Sequence, residues 1–176
     1  QIDSDISRID LERSEATVAI RHECGNEPGL TYHPLVEISL TPICTRSYLA
    51  EHPGLSTGDF SGCRIIKIAS DTYQWPRWQT QWGLLPEIAN ELVVSTVQAS
   101  IEAVKSNVGV AMGYLPTSYQ FMRSDDDLVL PLAEKVTRHG ECFLAYSNSN
   151  KDDEVIRAFH DWVVGVIAKE WSDKII

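Results

Sequence analysis

The pattern of apolar and polar positions in residues 91–113 predicts a strand, a helix and a second strand. Residues 91–94 have the composition of a short strand, and residues 108–112 are apolar enough for a strand buried on both faces. Between them, apolar side chains recur at helical spacing and so share one face of a helix: Val97, Ile101 and Val104. The stretch therefore predicts a parallel strand–helix–strand unit.

The ends of the predicted helix carry polar residues suited to capping. We expect Ser95 to be the N-cap, with Gln98 at the capping-box spacing, and Asn107 to take the left-handed position at the other end. In such a unit the helix N-terminus and the carboxyl ends of the strands lie at one edge. The hydroxyls of Ser95 and Thr96 could bind an anion or polar ligand there, or only cap the helix.

Similar patterns predict further elements along the chain. Other strands are expected at residues 16–21, 64–69 and 142–146. Other helices are expected at residues 46–51 after Thr45, 73–82 before Gly83, and 153–169. The last helix has a wide apolar stripe, from which we expect it to pack on a sheet: Val155, Ile156, Phe159, Trp162, Val163, Val166 and Ile167.

Three of the five tryptophans, Trp75, Trp78 and Trp82, lie on one face of the helix predicted at 73–82. Large apolar residues at this spacing usually mark a buried face, which favours core packing or a subunit contact. A platform on which a ligand stacks is the alternative.

Strands alternate with helices, which predicts an α/β fold with a mainly parallel sheet. Two apolar segments that contain a proline, residues 40–44 and 128–132, bracket about half of the chain. They are typical of two Rossmann-like lobes joined by two crossing strands. On this interpretation residues 1–42 and 132–176 form lobe I, and residues 43–131 form lobe II.

Composition and charge argue against several classes of function. The net charge of −10 argues against direct contact with a nucleic-acid backbone, because phosphate binding needs clustered Lys and Arg. The four cysteines (Cys24, Cys44, Cys63 and Cys142) form no CxxC pair, so we expect thiols in a reducing compartment and no metal site or other cofactor. There is no apolar run of about 20 residues, so no membrane span is expected.

Several stretches, taken in order, resemble the effector-binding domain of LysR-type transcriptional regulators, a fold similar to type 2 periplasmic binding proteins. The nearest subgroup includes the glycine-cleavage activator and the β-lactamase regulator. The stretches that carry the resemblance are Ala16-Thr-Val-Ala-Ile-Arg21 with Pro28-Gly-Leu30, residues 35–50, Trp75-Pro-Arg-Trp78, residues 103–115, Leu128-Val-Leu-Pro131 and residues 155–163. Thr17 stands where the subgroup usually has Asp. The family's helix-turn-helix, its linker helix and the first strand and helix of lobe I have no counterpart here, so we expect an incomplete lobe I.

The resemblance implies a cytoplasmic regulator in which a small molecule binds between the lobes. The bound effector would change DNA binding by a separate helix-turn-helix domain. It also implies a homodimer or homotetramer, and no enzymatic activity.

Six residues are candidates for contact with the effector. Ser95 and Thr96 begin one helix, while Thr45 and Ser47 begin another beside a crossing strand. Arg21 ends a predicted strand and offers a cation, or else forms a surface ion pair. Cys142 begins the strand that follows His139-Gly140, or else is a small core residue.

Two other classes of function remain to be weighed. A solute-binding protein of a transport system shares the two-lobe architecture and would need a secretory signal upstream. An enzyme is disfavoured, because the five histidines have no partnered Ser or Cys motif and the chain has neither a G-x-S-x-G motif nor a Gly-rich phosphate loop. His160 is expected to be an ordinary surface or boundary residue of the last helix.

Overall fold

A computed structural model of the protein describes residues 10–11, 18–22, 27–83 and 90–171. Residues 170 and 171 are described by their backbone only. The described residues form seven strands: β1 (Ala19–His22), β2 (Leu30–Thr45), β3 (Ile65–Ile68), β4 (Glu91–Val94), β5 (Val110–Leu115), β6 (Leu128–Val129) and β7 (Thr137–Ser147). They also form five α-helices: α1 (Arg46–Glu51), α2 (Gln74–Trp82), α3 (Val97–Lys105), α4 (Thr117–Ser124) and α5 (Glu154–Trp171). Most predicted elements are confirmed, although the strand predicted at 142–146 begins earlier, at Thr137.

The chain divides into two compact units. Unit 1 contains the described residues up to Glu37 and from Gly140 onward, and unit 2 is Ile38–His139. The chain therefore passes from unit 1 to unit 2 within β2 and returns within β7. The lobe limits expected at residues 42 and 132 both fall inside unit 2.

Unit 2 is built on a mixed sheet. Strands β4 and β5 both pair in parallel with β3, with Ile65 opposite Glu91 on one side and Val110 on the other. Strand β2 pairs antiparallel with β5, and Pro42 lies inside this ladder opposite Met112. The short β6 also pairs antiparallel with the end of β2. The expectation of a mainly parallel sheet is thus wrong, because the strand that enters the unit runs against β5.

Helices cover both faces of the unit 2 sheet, since alternate residues of each strand point to opposite sides. One buried cluster combines sheet residues such as Ile65 and Met112 with Tyr48 of α1 and the fully buried Trp75 and Trp78 of α2. The other cluster contains Ile43, Ile66 and Ala111 of the sheet with Ile101 and Val104 of α3. The tryptophan face of α2 is therefore core, as the helical spacing predicted.

Unit 1 contains an antiparallel pair of strands and the last helix. Strand β1 pairs with β7, from Ala19 opposite Ala145 to His22 opposite Cys142. Of the strand predicted at 16–21, Ala16 and Thr17 lie outside the described residues, and the observed strand begins at Ala19. The ring of His33 on β2 stacks on the ring of Tyr146 on β7. The Nε2 atom of His33 lies 2.8 Å from the Tyr146 hydroxyl.

Helix α5 buries only part of its apolar stripe. Ile156 and Val163 are buried, but Val155, Trp162 and Val166 are 72%, 62% and 42% exposed. The expectation that the whole stripe packs on a sheet is wrong for these three residues. Two neighbouring rows of a helix point in different directions, and among the described residues the row with Ile156 and Val163 is the buried one.

Candidate functional site

One edge of the unit 2 sheet gathers the carboxyl ends of its three parallel strands. Strands β3, β4 and β5 end there, at Ile68, Val94 and Leu115, and each is followed by the N-terminus of a helix. In open α/β sheets this edge is the usual place for ligands, because unpaired helix N–H groups and polar loop side chains meet there. We call it the carboxyl edge.

Ser95 and Thr96 lie on the carboxyl edge, and both are exposed. The N-cap of α3 is Thr96, whose hydroxyl accepts a hydrogen bond from the Ala99 N–H at 3.1 Å. The expectation that Ser95 is the cap is wrong, since Thr96 is the extended residue immediately before the first helical turn. Gln98 does not close a capping box; its amide donates to Glu102 at 3.0 Å.

Thr45 and Ser47 lie on the opposite edge of the same sheet. Because β2 runs antiparallel to β5, Ile43 is already opposite Ala111, near the start of β5, and the following Thr45 lies beyond it. Thr45 is buried, caps α1 through the Tyr48 N–H and donates to the Asn107 side chain. One ligand at the carboxyl edge therefore does not reach this pair, although the predicted capping role of Thr45 is confirmed.

Arg21 and Cys142 belong to unit 1, on neighbouring strands of the β1–β7 pair. The Arg21 guanidinium lies 3.1 Å from a carboxylate oxygen of Glu27 and 3.4 Å from the Tyr32 hydroxyl. The Arg21 side chain is 11% exposed and the Glu27 side chain 34%, so the ion pair is partly buried. Cys142 is half-buried and free of any disulfide, and burial raises the pKa of its thiol.

The side chain of Asp71 forms a polar cluster at the carboxyl edge that the sequence reasoning missed. Its Oδ2 atom accepts a hydrogen bond from the Tyr114 hydroxyl at 2.7 Å and lies 3.0 Å from Nε2 of His139. The Tyr114 and His139 rings meet edge to face, with their centroids 5.5 Å apart. Asp71 lies three residues after the end of β3, so the rule that drew attention to the end of β4 would also have found it. No pattern in the sequence predicts that His139 lies beside Asp71.

The cluster keeps Asp71 ionised. Burial alone would raise the pKa of this carboxyl, but hydrogen bonds from His139 and Tyr114, together with the charge of His139, lower it to about 2. The same contact acts in reverse on Tyr114, whose pKa is raised by burial and by the neighbouring carboxylate. Since a carboxylate only accepts hydrogen bonds, Nε2 of His139 must carry the hydrogen between the two residues.

The described cysteines offer little nucleophilic or metal-binding chemistry. Burial raises the pKa of Cys44 to about 12, with nearby Cys63 and Asp127 adding to the effect. Burial also raises the pKa of Cys63. Thiols with raised pKa values stay protonated at neutral pH and are poor nucleophiles. Among the residues that the structure describes, no cluster of three or more His, Cys, Asp or Glu side chains could hold a metal ion.

Comparison with known proteins gives a match over nearly the whole chain. Residues 3–168 match the model of the LysR substrate binding domain. The chain belongs to the LysR substrate-binding domain family. In the described part of this LysR domain, no helix has the length and apolar character required to span a membrane.

Individual relatives of this LysR domain are transcriptional regulators. The chain is 25% identical over 173 residues to the HTH-type transcriptional activator AmpR of Rhodobacter capsulatus, covering 96% of this chain and 57% of that protein. The effector domain of AmpR of Pseudomonas aeruginosa has a similar fold, with a TM-score of 0.76 and 24% identity over 96% of this chain and 80% of that one. The regulatory domain of CrgA from Neisseria meningitidis gives a TM-score of 0.70 and 19% identity over 92% and 80% of the two chains.

Proposed function

We propose that the chain is the effector-binding domain of a LysR-type transcriptional regulator. It binds a small molecule and thereby changes how a DNA-binding domain elsewhere in the same protein engages DNA. The family match over residues 3–168 carries this proposal. The AmpR relative is named as a helix-turn-helix activator, and this chain spans only 57% of its length. The two-lobe organisation is part of the proposal, and the division into two compact units supports it.

This proposal is favoured over the two other classes of function. The matched relatives are named as regulators, which argues against a solute-binding protein of a transport system. They are also not enzymes, and the protonated thiols of Cys44 and Cys63 fit a binding role better than a nucleophilic one. A regulator of transcription acts where the DNA is, so the cytoplasm remains the proposed location. A homodimer or homotetramer remains the proposed assembly, to be measured by light scattering on the purified protein.

For the effector site we favour the carboxyl edge, with Ser95 and Thr96 as ligand contacts. Both side chains are exposed at the N-terminus of a nine-residue helix, where N–H groups point outward. A hydroxyl that accepts one hydrogen bond can still donate another, so capping does not remove Thr96 from the site. Arg21 and Cys142 remain proposed contacts from unit 1, whereas the position of Thr45 and Ser47 argues against them.

The test begins with a thermal-shift screen of a metabolite library against the purified protein. Affinities of the compounds that bind are then measured by calorimetry for the double variant Ser95→Ala, Thr96→Ala. We expect binding at least about tenfold weaker, because at least one hydrogen bond to the ligand is lost. Ser47→Ala is the matched control, since it removes an exposed hydroxyl at a helix start on the opposite edge. Equal affinities for the double variant and the wild type would remove Ser95 and Thr96 from the site.

A further inference from the structure

The last residues of unit 2 are held by side chains of helix α2. Segment 135–139 leads directly to Gly140, where unit 1 resumes. Four side chains of α2, at positions that share one side of the helix, each donate a hydrogen bond to this segment: Arg77 to the His139 carbonyl at 2.9 Å, Trp78 to the Lys135 carbonyl at 2.7 Å, Gln81 to the Val136 carbonyl at 3.3 Å and Trp82 to the Thr137 hydroxyl at 3.1 Å. We call segment 135–139 the exit segment.

The Asp71 cluster binds the same segment through the side chain of its final residue, His139. His139 is bonded through its carbonyl to Arg77 and through its ring to Asp71, and its side chain is only 8% exposed. Asp71 in turn belongs to the loop between β3 and α2, where its backbone carbonyl accepts from the Gln74 side chain at 3.0 Å. The loop, the start of α2 and the exit segment are thus connected through one residue, Asp71, by its backbone carbonyl and its carboxylate.

We propose that Asp71, Tyr114 and His139 form a latch that holds the exit segment against the carboxyl edge of unit 2 and so controls local opening of the strand that leaves the unit. A charge-assisted hydrogen bond between partly buried groups is strong, so removing either partner weakens the attachment of the exit segment. The latch joins the end of β3, the end of β5 and the start of β7. Other core contacts of the unit, such as those of α3, do not pass through it.

A regulatory role for the latch rests on the proposed function. The loop that carries Asp71 lies on the carboxyl edge, where the effector is proposed to bind. A ligand changes a conformational equilibrium only if it binds one state better than the other. A ligand that contacts this loop more closely in one latch state therefore shifts the exit segment, which is the path by which the chain returns to unit 1.

Hydrogen–deuterium exchange with mass spectrometry on the protein without any added ligand tests the latch. In Asp71→Asn and His139→Leu we expect peptides covering residues 135–142 to exchange about tenfold faster, as loss of one charge-assisted hydrogen bond predicts for a local opening. Peptides from α3 and from the middle of β5 should keep their rates. His139→Gln, which retains a donor at a similar reach, should lie close to the wild type. Asp126→Asn is the matched control, since its side chain is exposed in a loop of the same unit.

Three results would overturn the latch: unchanged exchange of residues 135–142 in both disruptive variants, equal acceleration throughout unit 2, or His139→Gln exchanging as fast as His139→Leu. Tyr114→Phe serves if the stronger variants fold poorly. It removes one of the donors to Asp71, so we expect a smaller acceleration of exchange in the same peptides. Exchange at the wild-type rate in this variant would contradict the proposal.

The regulatory role has a separate test in the full-length protein. Genomic DNA fragments bound by the wild type are selected, and their affinity for Asp71→Asn and Asp126→Asn is measured without any small molecule. A several-fold change in Asp71→Asn alone supports the role, and equal affinities would overturn it. A wild-type protein that binds no DNA would instead refute the proposed function, while the exchange results would still decide on the latch.

Discussion

At the scale of single residues, local backbone chemistry was predictable. Thr45 caps α1, Gly83 ends α2 in the left-handed region at φ 65°, and Asn107 takes φ 57° after α3, all as the sequence predicts. Each of these preferences depends on the residue and its immediate neighbours. The error at Ser95 shows the limit: two adjacent hydroxyl residues can both cap, and the end of β4 decides which one precedes the helix.

Alanine substitutions at two glycines are expected to change the free energy of unfolding in opposite directions. A side chain at Gly109 would press its Cβ against the Arg64 carbonyl oxygen, well inside van der Waals contact, whereas a Cβ at Gly165 in α5 meets nothing within 4 Å. We expect Gly109→Ala to lower the free energy of unfolding by about 2 kcal/mol or more. Gly165→Ala should raise it by about 0.5 to 1 kcal/mol through helix propensity. Urea unfolding followed by circular dichroism measures both, and equal effects would contradict the packing at Arg64.

The pKa of Asp71 predicts a dependence of stability on pH. Its pKa falls from 3.8 to about 2 on folding, so the unfolded state binds the proton more readily and stability decreases as the pH falls. The contribution is on the order of 2 kcal/mol above pH 4, and it is lost as the pH drops towards 2.

We therefore expect Asp71→Asn to be less stable than the wild type at pH 7, and the difference to shrink in urea unfolding experiments between pH 4 and the lowest pH at which the protein stays folded. Asp126→Asn should show no such convergence. A difference between Asp71→Asn and the wild type that stays constant with pH would mean that the charge of Asp71 is not stabilised by folding.

At the scale of whole elements, the apolar period located the helices but not always their environment. The period alone correctly marked the buried face of α2, where Phe60 meets Trp75 and Trp78 edge to face at 5.6 and 5.9 Å. Applied to α5, the same reasoning overstated burial, since Trp162 is 62% exposed. A period shows which residues share a face, while burial depends on what the rest of the chain places opposite that face.

The two helices give a matched pair of tryptophan substitutions. Trp78 is fully buried and its indole N–H donates to the Lys135 carbonyl, so we expect Trp78→Ala to cost about 3 to 5 kcal/mol of stability. Trp162→Ala removes an exposed ring and should change stability by no more than about 0.5 kcal/mol. Urea unfolding followed by far-ultraviolet circular dichroism avoids the loss of tryptophan fluorescence. A similar cost for both substitutions would contradict the burial found here.

At the scale of the whole molecule, the negative net charge of this domain disfavours direct contact with DNA. A net charge of −10 repels a phosphate backbone, so DNA contact in the proposed regulator must come from another domain. The family assignment and the acidic composition therefore agree only if sensing and DNA binding are carried by different parts of the protein.

We expect the 176-residue chain to show no band shift with mixed genomic DNA fragments at low salt, where electrostatic binding is strongest. The full-length protein should bind a subset of the same fragments in the same assay. Binding by the chain itself would require a basic surface that its composition does not suggest, and would contradict the division of labour proposed above.

The sequence by itself determined most of the helices and strands (helix α4 was not predicted), most helix ends, the α/β class and the resemblance that the family match confirmed. Each of these depends on short-range periodicity or on motifs in a fixed order. Only the tertiary structure decided that Thr45 lies on the sheet edge opposite Ser95, that Asp71 meets His139, and that one row of α5 is exposed. Strand direction, register and the pairing of distant segments create these relations, and they arise from contacts between residues far apart in the chain, which no local pattern encodes.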